Sequence, residues 1–402
     1  MTSTAENSAA PAGQDAPGGV DATEFAQACQ ALIDVAQEVG QALEPVCETA
    51  PDFPRLQERL AELSSIAQRF LNEPAPGLVR WAEVGSGVRV CETPLDIADL
   101  FKKQLTRESA PSADDGEGWG QEDDPGDMPA KRHKRAWIFT SATLGHDDRL
   151  SWFTEPCGLQ SAQVLRVQSP FDYKRQGVLF VPREMVPPQD PGHTVAVAAL
   201  AEQVVRTLVG RTLVLTTTLR ALRQIGDHLR QAFQDSAIEV LVQGEGSKRE
   251  LMERFRSGAP QTGRGAQGYV LVATASFWEG FDVPGNALQA VVIDKLPFPP
   301  PNDPLVEARS KRLEAQGRSP FNDYFVPEAV VALKQGAGRL IRTESDQGVL
   351  VLCDNRLVTT GYGRRLIASL PPMRQLQSSE ALAQSLSGLN QDFISKSSTT
   401  VF

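Results

Sequence analysis

The 402-residue sequence has no run of 18 apolar residues of the kind that a membrane-spanning helix needs. Its first residues, MTSTAENSAAPAGQDAPGG, also lack the basic and apolar stretches of a secretory signal peptide. We therefore predict a cytoplasmic protein with no membrane partner. Apolar residues make up 41% of the chain, which is enough for a substantial buried core and excludes a wholly disordered protein.

Cysteine and histidine are both scarce. The five cysteines lack the paired spacing of a zinc or iron–sulfur site, and they stand at positions 29, 47, 91, 157 and 353. We expect isolated, reduced thiols and no metal site. The four histidines form no nucleophile–base arrangement, which argues against a metabolic α/β enzyme; they are His133, His146, His193 and His228.

Positive charge is in deficit over the whole chain, with 40 Lys and Arg against 50 Asp and Glu. The resulting net charge of -10 argues by itself against binding to nucleic acid. The deficit lies in residues 1–127, which hold 24 acids and 8 bases, whereas residues 128–402 hold 26 acids and 32 bases. The charge balance of the second part therefore permits an acidic partner.

The first part of the chain reads as a flexible arm followed by helices. Residues 1–22 are rich in Ala, Gly, Pro, Ser and Thr without hydrophobic periodicity, so we expect a disordered arm. Apolar residues then recur at helical spacing over 25–39 and again over 56–70, after a break at two prolines. We predict two amphipathic helices packed on each other within a segment 23–78.

The next segment, 79–164, begins with strand-like runs at 79–84 and 88–91 and a helix near 94–105. Residues 109–130 follow as a long acidic loop that marks a break in organisation. A basic cluster ends this loop and either contacts phosphate or forms an ordinary solvated face; it consists of Lys131, Arg132, Lys134 and Arg135.

Beyond the loop the pattern changes to short apolar runs that alternate with helical segments. The predicted strands are 137–140, 212–216, 238–242, 269–274, 290–293 and 349–352, and the predicted helices include 219–233, 247–255 and 327–341. Strands that are apolar throughout pair in a parallel sheet covered by helices on both faces. We predict an α/β fold with its main domain at about 165–380 and a C-terminal tail at 381–402.

Polar residues follow several of these strands, at the edge where parallel sheets collect ligand chemistry. Thr216, Thr217 and Thr218 are able to contact phosphate, although helix capping alone explains at least one of them. Gln243 and Gly244 form a polar turn that either lets an anion approach the backbone or is a common way to end a strand.

The loop ATASFWEGFDVPG, residues 273–285, carries two carboxylates three positions apart. These are Glu279 and Asp282, which flank Gly280 and lie beside Trp278. Packing alone gives little reason for two acids at this place, so the pattern favours a functional role.

The segment KQGAGRLIR combines an amide, two arginines and two glycines. On a helix, Gln335, Arg339 and Arg342 would share one face because they are spaced i, i+4 and i+7. Gly336 and Gly338 would weaken that helix by about 1 kcal/mol each, so we expect them to permit close packing or ligand approach. Guanidinium groups suit bidentate contact with phosphate.

Taken in order, these elements resemble the C-terminal half of a DinG/XPD-like DNA helicase of superfamily 2. The resemblance covers roughly residues 79–371 and rests on TSATL (140–144), SPFDY (169–173), the threonines 216–218, LVQG (241–244), SFWEGFDVPG (276–285), DKLPFPPPNDP (294–304), KQGAGRLIR (334–342) and CDNRL (353–357). TSATL would be motif III, the 273–285 loop motif V and QGAGRLIR motif VI.

The resemblance implies a RecA-like second lobe at 165–380, preceded by a partial first lobe at 79–164 and the remnant of a helical arch domain at 23–78. It implies that ATP and Mg2+ bind between two lobes, that single-stranded or forked DNA is the partner, and that ATP hydrolysis drives 5'-to-3' unwinding of DNA, in DNA repair. The residues that it assigns to the nucleotide are Arg339, Arg342 and Gln335 as catalytic groups and Glu279, Gly280, Asp282, Gly336 and Gly338 in the cleft. Those that it assigns to DNA are Thr216, Thr217, Gln243, Gly244, Thr274 and Trp278.

The chain departs from the family pattern in its phosphate-binding elements. It contains no GxxxxGK[ST] loop, no DEAH-like box and no counterpart of the four cysteines that hold an iron–sulfur cluster in many relatives. We expect a truncated product, one half of a split gene or a mis-assigned start. The chain would then be inactive alone, with the Mg2+ ligands elsewhere and a separate chain as a possible source of the Walker A half. The alternative is an ATPase-dead module that binds single-stranded DNA or a helicase partner.

Overall fold

A computed structural model describes residues 22–84, 87–106, 136–141, 143, 145, 147–258, 268–274, 277, 283 and 285–399. The chain divides into two compact units, Met1–Leu95 and Asp96–Phe402. This division differs from the predicted boundaries at 78 and 164. The strands after residue 78 pair with each other, and the Arg80 guanidinium bonds to the backbone oxygens of Arg69 and Asn72 at the end of the preceding helix. No helix in the described ranges is long and apolar enough to cross a membrane.

The first unit consists of the two packed helices that the sequence predicts and an antiparallel hairpin, whose strands the sequence placed in the next segment. Its elements are α1 (Ala22–Leu43), a 3-10 turn (Glu44–Thr49), α2 (Asp52–Leu71), β1 (Leu78–Val84) and β2 (Val88–Pro94). The two helices pack on each other and bury Ile33, Ala36 and Ala67. The strands are antiparallel, and the Arg80 guanidinium bonds both to Glu92 opposite it, at 2.5 Å, and to the Asn72 carbonyl oxygen, at 2.6 Å.

The second unit is built on a parallel sheet. Its helices are α3 (Ala98–Thr106), α4 (Ser151–Thr154), α5 (Tyr173–Gln176), α6 (His193–Leu208), α7 (Leu219–Phe233), α8 (Lys248–Ser257), α9 (Pro304–Ala315), α10 (Val326–Ala337), α11 (Arg356–Thr359), α12 (Gly361–Ser369) and α13 (Ser379–Thr399). Its strands are β3 (Gly177–Phe180), β4 (Thr212–Thr216), β5 (Ile238–Val242), β6 (Gly268–Thr274), β7 (Ala290–Ile293), β8 (Gly348–Leu352) and β9 (Arg374–Leu376).

The sheet has the order β5-β6-β4-β7-β8-β3-β9, and every neighbouring pair is parallel. Successive residues of each strand point to opposite faces, so both faces are apolar and covered by helices. In β4, for example, Leu213 and Leu215 join the core under α8, α10 and α12, whereas Val214 joins the core under α6, α7 and α13. The predicted α/β fold with a helix-covered parallel sheet is confirmed.

Three local predictions were wrong. Residues 137–140 are not a strand, since 136–141 have no regular secondary structure. Two strands escaped prediction: β3 has four residues, and β9 has three, two of them polar. The segment predicted as a tail is helix α13, whose Leu382 and Leu386 are buried against the sheet, one helical turn apart.

Candidate functional site

The carboxyl ends of three adjacent strands bring together the polar residues singled out in the sequence. Along β5, β6 and β4 in the sheet, these ends carry Gln243, Thr274, and Thr216 with Thr217. The end of the next strand, β7, adds Asp294, which was not singled out. We call this row the carboxyl edge. Its predicted DNA-binding residues therefore lie on one side of the sheet, as the parallel topology requires.

Gln243 and Thr274 are joined directly at this edge. The backbone N–H and the hydroxyl of Thr274 both donate to Gln243 Oε1, at 2.7 and 3.0 Å. Gly244 follows with φ of +100°, a conformation that favours glycine, and a Cβ there would meet nothing within 4 Å. The turn after β5 is thus tied to β6 and presents an exposed, open stretch of backbone.

The three threonines after β4 have three different positions. Thr216 is only 1% exposed, and its hydroxyl lies within hydrogen-bonding distance of the backbone oxygens of Thr218 and Ala273. Thr218 caps α7 by accepting the Ala221 N–H at 3.2 Å, as the capping interpretation predicted. Thr217 is half-buried at the edge itself. The Thr216 side chain therefore holds the turn, and Thr217 is the threonine that remains a candidate for DNA contact.

Asp294, which the sequence analysis missed, fixes Thr217. Its carboxylate is 1% exposed and accepts from the backbone N–H groups of Thr217, at 3.0 Å, and Lys295, at 2.6 Å, and from the Thr217 hydroxyl at 3.3 Å. The fully buried His193 lies behind it, with its ring nitrogens 2.6 Å from the Val186 carbonyl oxygen and 3.0 Å from that of Asp294. The signal in the sequence was an acidic residue directly after a buried apolar strand.

Burial raises the pKa of Asp294 to about 6, although its hydrogen bonds act in the opposite direction. The folded protein then retains a proton that the unfolded chain loses near pH 3.8. The stability contributed by protonation is therefore complete below that pH and is lost as the pH rises through about 6.

Replacing Asp294 with Asn removes this titration while keeping an amide oxygen as acceptor. We expect the unfolding free energy of Asp294→Asn, relative to wild type, to increase from pH 4.5 to pH 7.5 by roughly 2 kcal/mol, since each pKa unit corresponds to about 1.4 kcal/mol and part of the titration lies below pH 4.5. Urea unfolding at several pH values measures the difference. A difference that stays constant over this range would contradict the assignment.

The arginine segment is at the other edge of the sheet and not on one helical face. Helix α10 ends at Ala337, and Gly338 is its C-cap, so Arg339 and Arg342 lie in the loop that enters β8 at its amino end. The predicted i, i+4, i+7 face was wrong, because the helix stops before both arginines. Gln335 lies in the last turn of α10, and its side chain, like those of both arginines, is half-buried.

The glycines of this segment differ in role. Gly336 is buried within α10, where the predicted cost to the helix applies. Gly338 lies at the helix end, so no cost of a helix interior applies to it. A Cβ at Gly338 would come within 3.1 Å of the Lys334 carbonyl oxygen, which makes the close turn after the helix hard to form with another residue.

Asp346, also missed from the sequence, holds the arginine loop in place. Its carboxylate is 5% exposed and accepts from the N–H groups of Arg342 and Thr343, both at 2.8 Å, from the Thr343 hydroxyl at 2.7 Å and from the Gly285 N–H at 3.1 Å. Gln176 bonds to the backbone oxygens of Thr343 and Asp346 at 2.8 and 3.0 Å. The loop and the segment before β7 are thus joined at one buried acid.

Four predicted site residues lie outside the described ranges: Trp278, Glu279, Gly280 and Asp282. The remaining ones form two groups at opposite edges of the sheet. Strands of five residues separate those edges by about 16 Å. The carboxyl edge offers backbone N–H, hydroxyl and amide groups, whereas the arginine loop offers two half-buried guanidinium groups suited to an anion.

Comparison with known proteins identifies relatives of this arrangement. Residues 201–373 match the family of the helicase C-terminal domain. The ATP-dependent DNA helicase YoaA of Escherichia coli is 39% identical over 315 residues, which are 78% of this chain and 43% of that protein. The ATP-dependent helicase DinG of Mycobacterium tuberculosis is 36% identical over 243 residues, 59% of this chain and 35% of that protein.

A solved structure described as an XPD helicase matches 50% of this chain and 36% of its own, with 17% identity and a TM-score of 0.37. The chain spans less than half the length of the two relatives above. The matched family domain contains β4 to β8 and both groups of site residues. Residues 201–373 therefore carry a helicase C-terminal domain, and the chain is similar to the corresponding part of the DNA helicases YoaA and DinG.

Proposed function

We propose that this chain provides the second RecA-like lobe of an ATP-dependent DNA helicase that unwinds DNA 5'-to-3'. The observation that carries the proposal is the row of polar groups across four adjacent strand ends, fixed by the buried carboxylate of Asp294. Because burial raises the pKa of Asp294, its charged form costs stability at neutral pH. Such costs are common at functional sites.

Single-stranded DNA is the proposed ligand of the carboxyl edge. Backbone N–H groups, hydroxyls and side-chain amides are common partners of phosphate oxygens. Gln243 supplies a side-chain amide, and the Thr217 and Thr274 hydroxyls would exchange their bonds to Asp294 and Gln243 for a phosphate oxygen. The open backbone at Gly244 allows a phosphate to approach closely. Trp278 belongs to the same proposal through its place in the sequence.

The nucleotide is the proposed ligand of the arginine loop. Two guanidinium groups held half-buried beside a fixed backbone fit the charge of a triphosphate, and Arg339 and Arg342 would stabilise negative charge on the transferring phosphoryl group. Gln335, Gly336 and Gly338 form the adjoining turn. ATP would supply the transferring phosphoryl group, and Mg2+ would neutralise the charge of the phosphates through ligands outside this chain. Glu279, Gly280 and Asp282 would complete the cleft.

Titration of fluorescein-labelled dT20 with the purified chain tests the DNA proposal. We expect a rise in anisotropy at 50 mM NaCl and a loss of affinity of at least tenfold at 200 mM, because binding to phosphates releases counterions. Absence of binding at 50 mM salt, with a cooperative thermal transition showing that the chain is folded, would overturn the proposal.

The isolated chain should hydrolyse ATP at no more than background rate, with or without DNA. Its 402 residues contain no phosphate-binding GxxxxGK[ST] loop, so the arginines have no cradled triphosphate to act on. A coupled ATPase assay measures this. Robust hydrolysis that Arg342→Ala abolishes would contradict the expectation. If a separate chain that carries the Walker A half is added and ATP does not change the DNA affinity, the alternative of an ATPase-dead binding module would be favoured.

A further inference from the structure

Three aromatic rings form a cluster beyond the ends of β7 and β8. Phe321 lies edge-on to Tyr362, with ring centroids 5.0 Å apart, and Phe298 lies 5.8 and 6.2 Å from these two rings. Phe298 and Tyr362 pack against the buried core and are themselves half-buried. Phe298 and Tyr362 therefore form a rigid base against which Phe321 packs.

The cluster continues the carboxyl edge. Phe298 follows β7 in the same loop as Asp294, and Tyr362 follows β8, the next strand of the sheet. The buried Asp354 fixes this loop, because its carboxylate accepts the Leu296 N–H at 2.9 Å and a bidentate contact from Arg356. The Arg356 guanidinium in turn lies 5.5 Å from the Phe298 ring centroid. Phe298 thus has a fixed position one strand beyond Thr217.

Phe321 is exposed although its neighbours are packed. It is 40% exposed, and it is the only exposed aromatic side chain among the described residues from 165 to 395. It begins a π-helical turn, Phe321–Phe325, a rare conformation that is frequent at functional sites. An exposed ring on a rigid aromatic base has the form of a stacking surface.

The charges around Phe321 suit an anionic ligand. Arg364 and Arg365 are exposed on α12, and Arg365 donates to the Asn322 side chain at 3.0 Å, directly beside the ring. Arg318 also lies nearby in sequence, where it pairs with Asp323 at 3.4 Å. Cations next to an aromatic face favour a ligand that has both a flat π-system and negative charge.

We propose that Phe321, supported by Phe298 and Tyr362, stacks on a base of single-stranded DNA whose backbone runs along the carboxyl edge. This inference rests on the proposed function. It extends the proposed DNA contacts from the carboxyl edge to the aromatic cluster next to it. Every base has a π-face, so the contact would add affinity without sequence preference.

Substitutions at Phe321 test the stack in the full chain with labelled dT20 at 50 mM NaCl. Phe321→Ala should weaken binding about tenfold, within the range for the loss of one base–aromatic stack. Phe321→Leu keeps apolar bulk without a π-face and should bind dT20 as weakly as Phe321→Ala does. Phe321→Trp should retain or exceed wild-type affinity. Thermal unfolding of each variant shows whether the fold is retained.

An oligonucleotide of the same length with abasic residues separates stacking from phosphate contact. The wild-type chain should bind it about tenfold more weakly than dT20. Phe321→Ala, which has no ring to stack, should bind the abasic oligonucleotide and dT20 with equal affinity. Wild-type affinity in Phe321→Ala or Phe321→Leu would overturn the inference and leave the proposed function standing. Absence of dT20 binding by the wild-type chain would overturn both.

Discussion

Replacing Asp346 with Ala is expected to lower the unfolding free energy of the second unit by about 3 kcal/mol. The buried carboxylate accepts four hydrogen bonds, three of them from backbone N–H groups, and its removal leaves those donors without an acceptor. Each unsatisfied buried donor costs about 1–3 kcal/mol, and part of that cost is recovered where the loop opens to water. The melting temperature should fall by roughly 5 °C.

Two matched variants separate this effect from loss of charge alone. Asp346→Asn keeps one acceptor oxygen and should cost less than Asp346→Ala. Asp227→Ala removes a carboxylate whose side chain is 76% exposed on α7, and it should change the unfolding free energy by less than about 0.5 kcal/mol. Equal stabilities of Asp346→Ala and Asp227→Ala would show that the arginine loop does not depend on Asp346.

The sheet was predictable from sequence wherever a strand is long enough and apolar throughout. Strands β4, β6, β7 and β8 are such runs, and their burial on both faces follows from helices packed on both sides, whereas the edge strand β5 is apolar except for Glu239. β9 gives no such signal, because its residues Arg374–Leu376 become a strand only through pairing with β3. Helix α13 did give a signal, the turn-spaced Leu382 and Leu386, which composition at the end of the chain obscured.

The candidate site was predictable in its parts but not in its connections. Gln243, Thr217 and Thr274 stand at strand ends, which the parallel fold alone places along one edge. The bond from Asp294 to Thr217 joins residues 77 positions apart, and no local pattern encodes such a contact. The acid is visible in the sequence, whereas its partner depends on the strand order.

The arginine segment shows how periodicity misleads near a helix end. The spacing of Gln335, Arg339 and Arg342 matches a helical face, but Gly338 is the C-cap at which the helix ends. A glycine just past a strongly apolar helix was a stop signal in the sequence. Once the helix ends, the positions of the arginines depend on Asp346 and not on helical geometry.

Replacing Gln243 with Glu is expected to weaken binding of single-stranded DNA by tenfold or more at 50 mM NaCl. Glu has nearly the same shape, and a carboxylate oxygen can still accept both bonds from Thr274. The substitution therefore keeps the turn and adds one negative charge where phosphates are proposed to lie. Repulsion of this size corresponds to about 1.4 kcal/mol and should shrink as salt screens it.

A second substitution makes the same change in charge at the opposite edge of the sheet. Gln234 is exposed at the C-terminal end of α7, just before the amino end of β5. Gln234→Glu should leave DNA affinity within about twofold of wild type, since a distant exposed charge is largely screened. Both variants should unfold at the wild-type temperature.

The most direct test of DNA binding along the carboxyl edge is a side-by-side anisotropy titration of labelled dT20 with wild type, Gln243→Glu and Gln234→Glu at 50 and 200 mM NaCl. The arrangement predicts that Gln243→Glu alone loses at least tenfold in affinity at the lower salt and that the difference narrows at the higher salt. Equal losses in the two variants, or none in either, would contradict DNA binding along this edge.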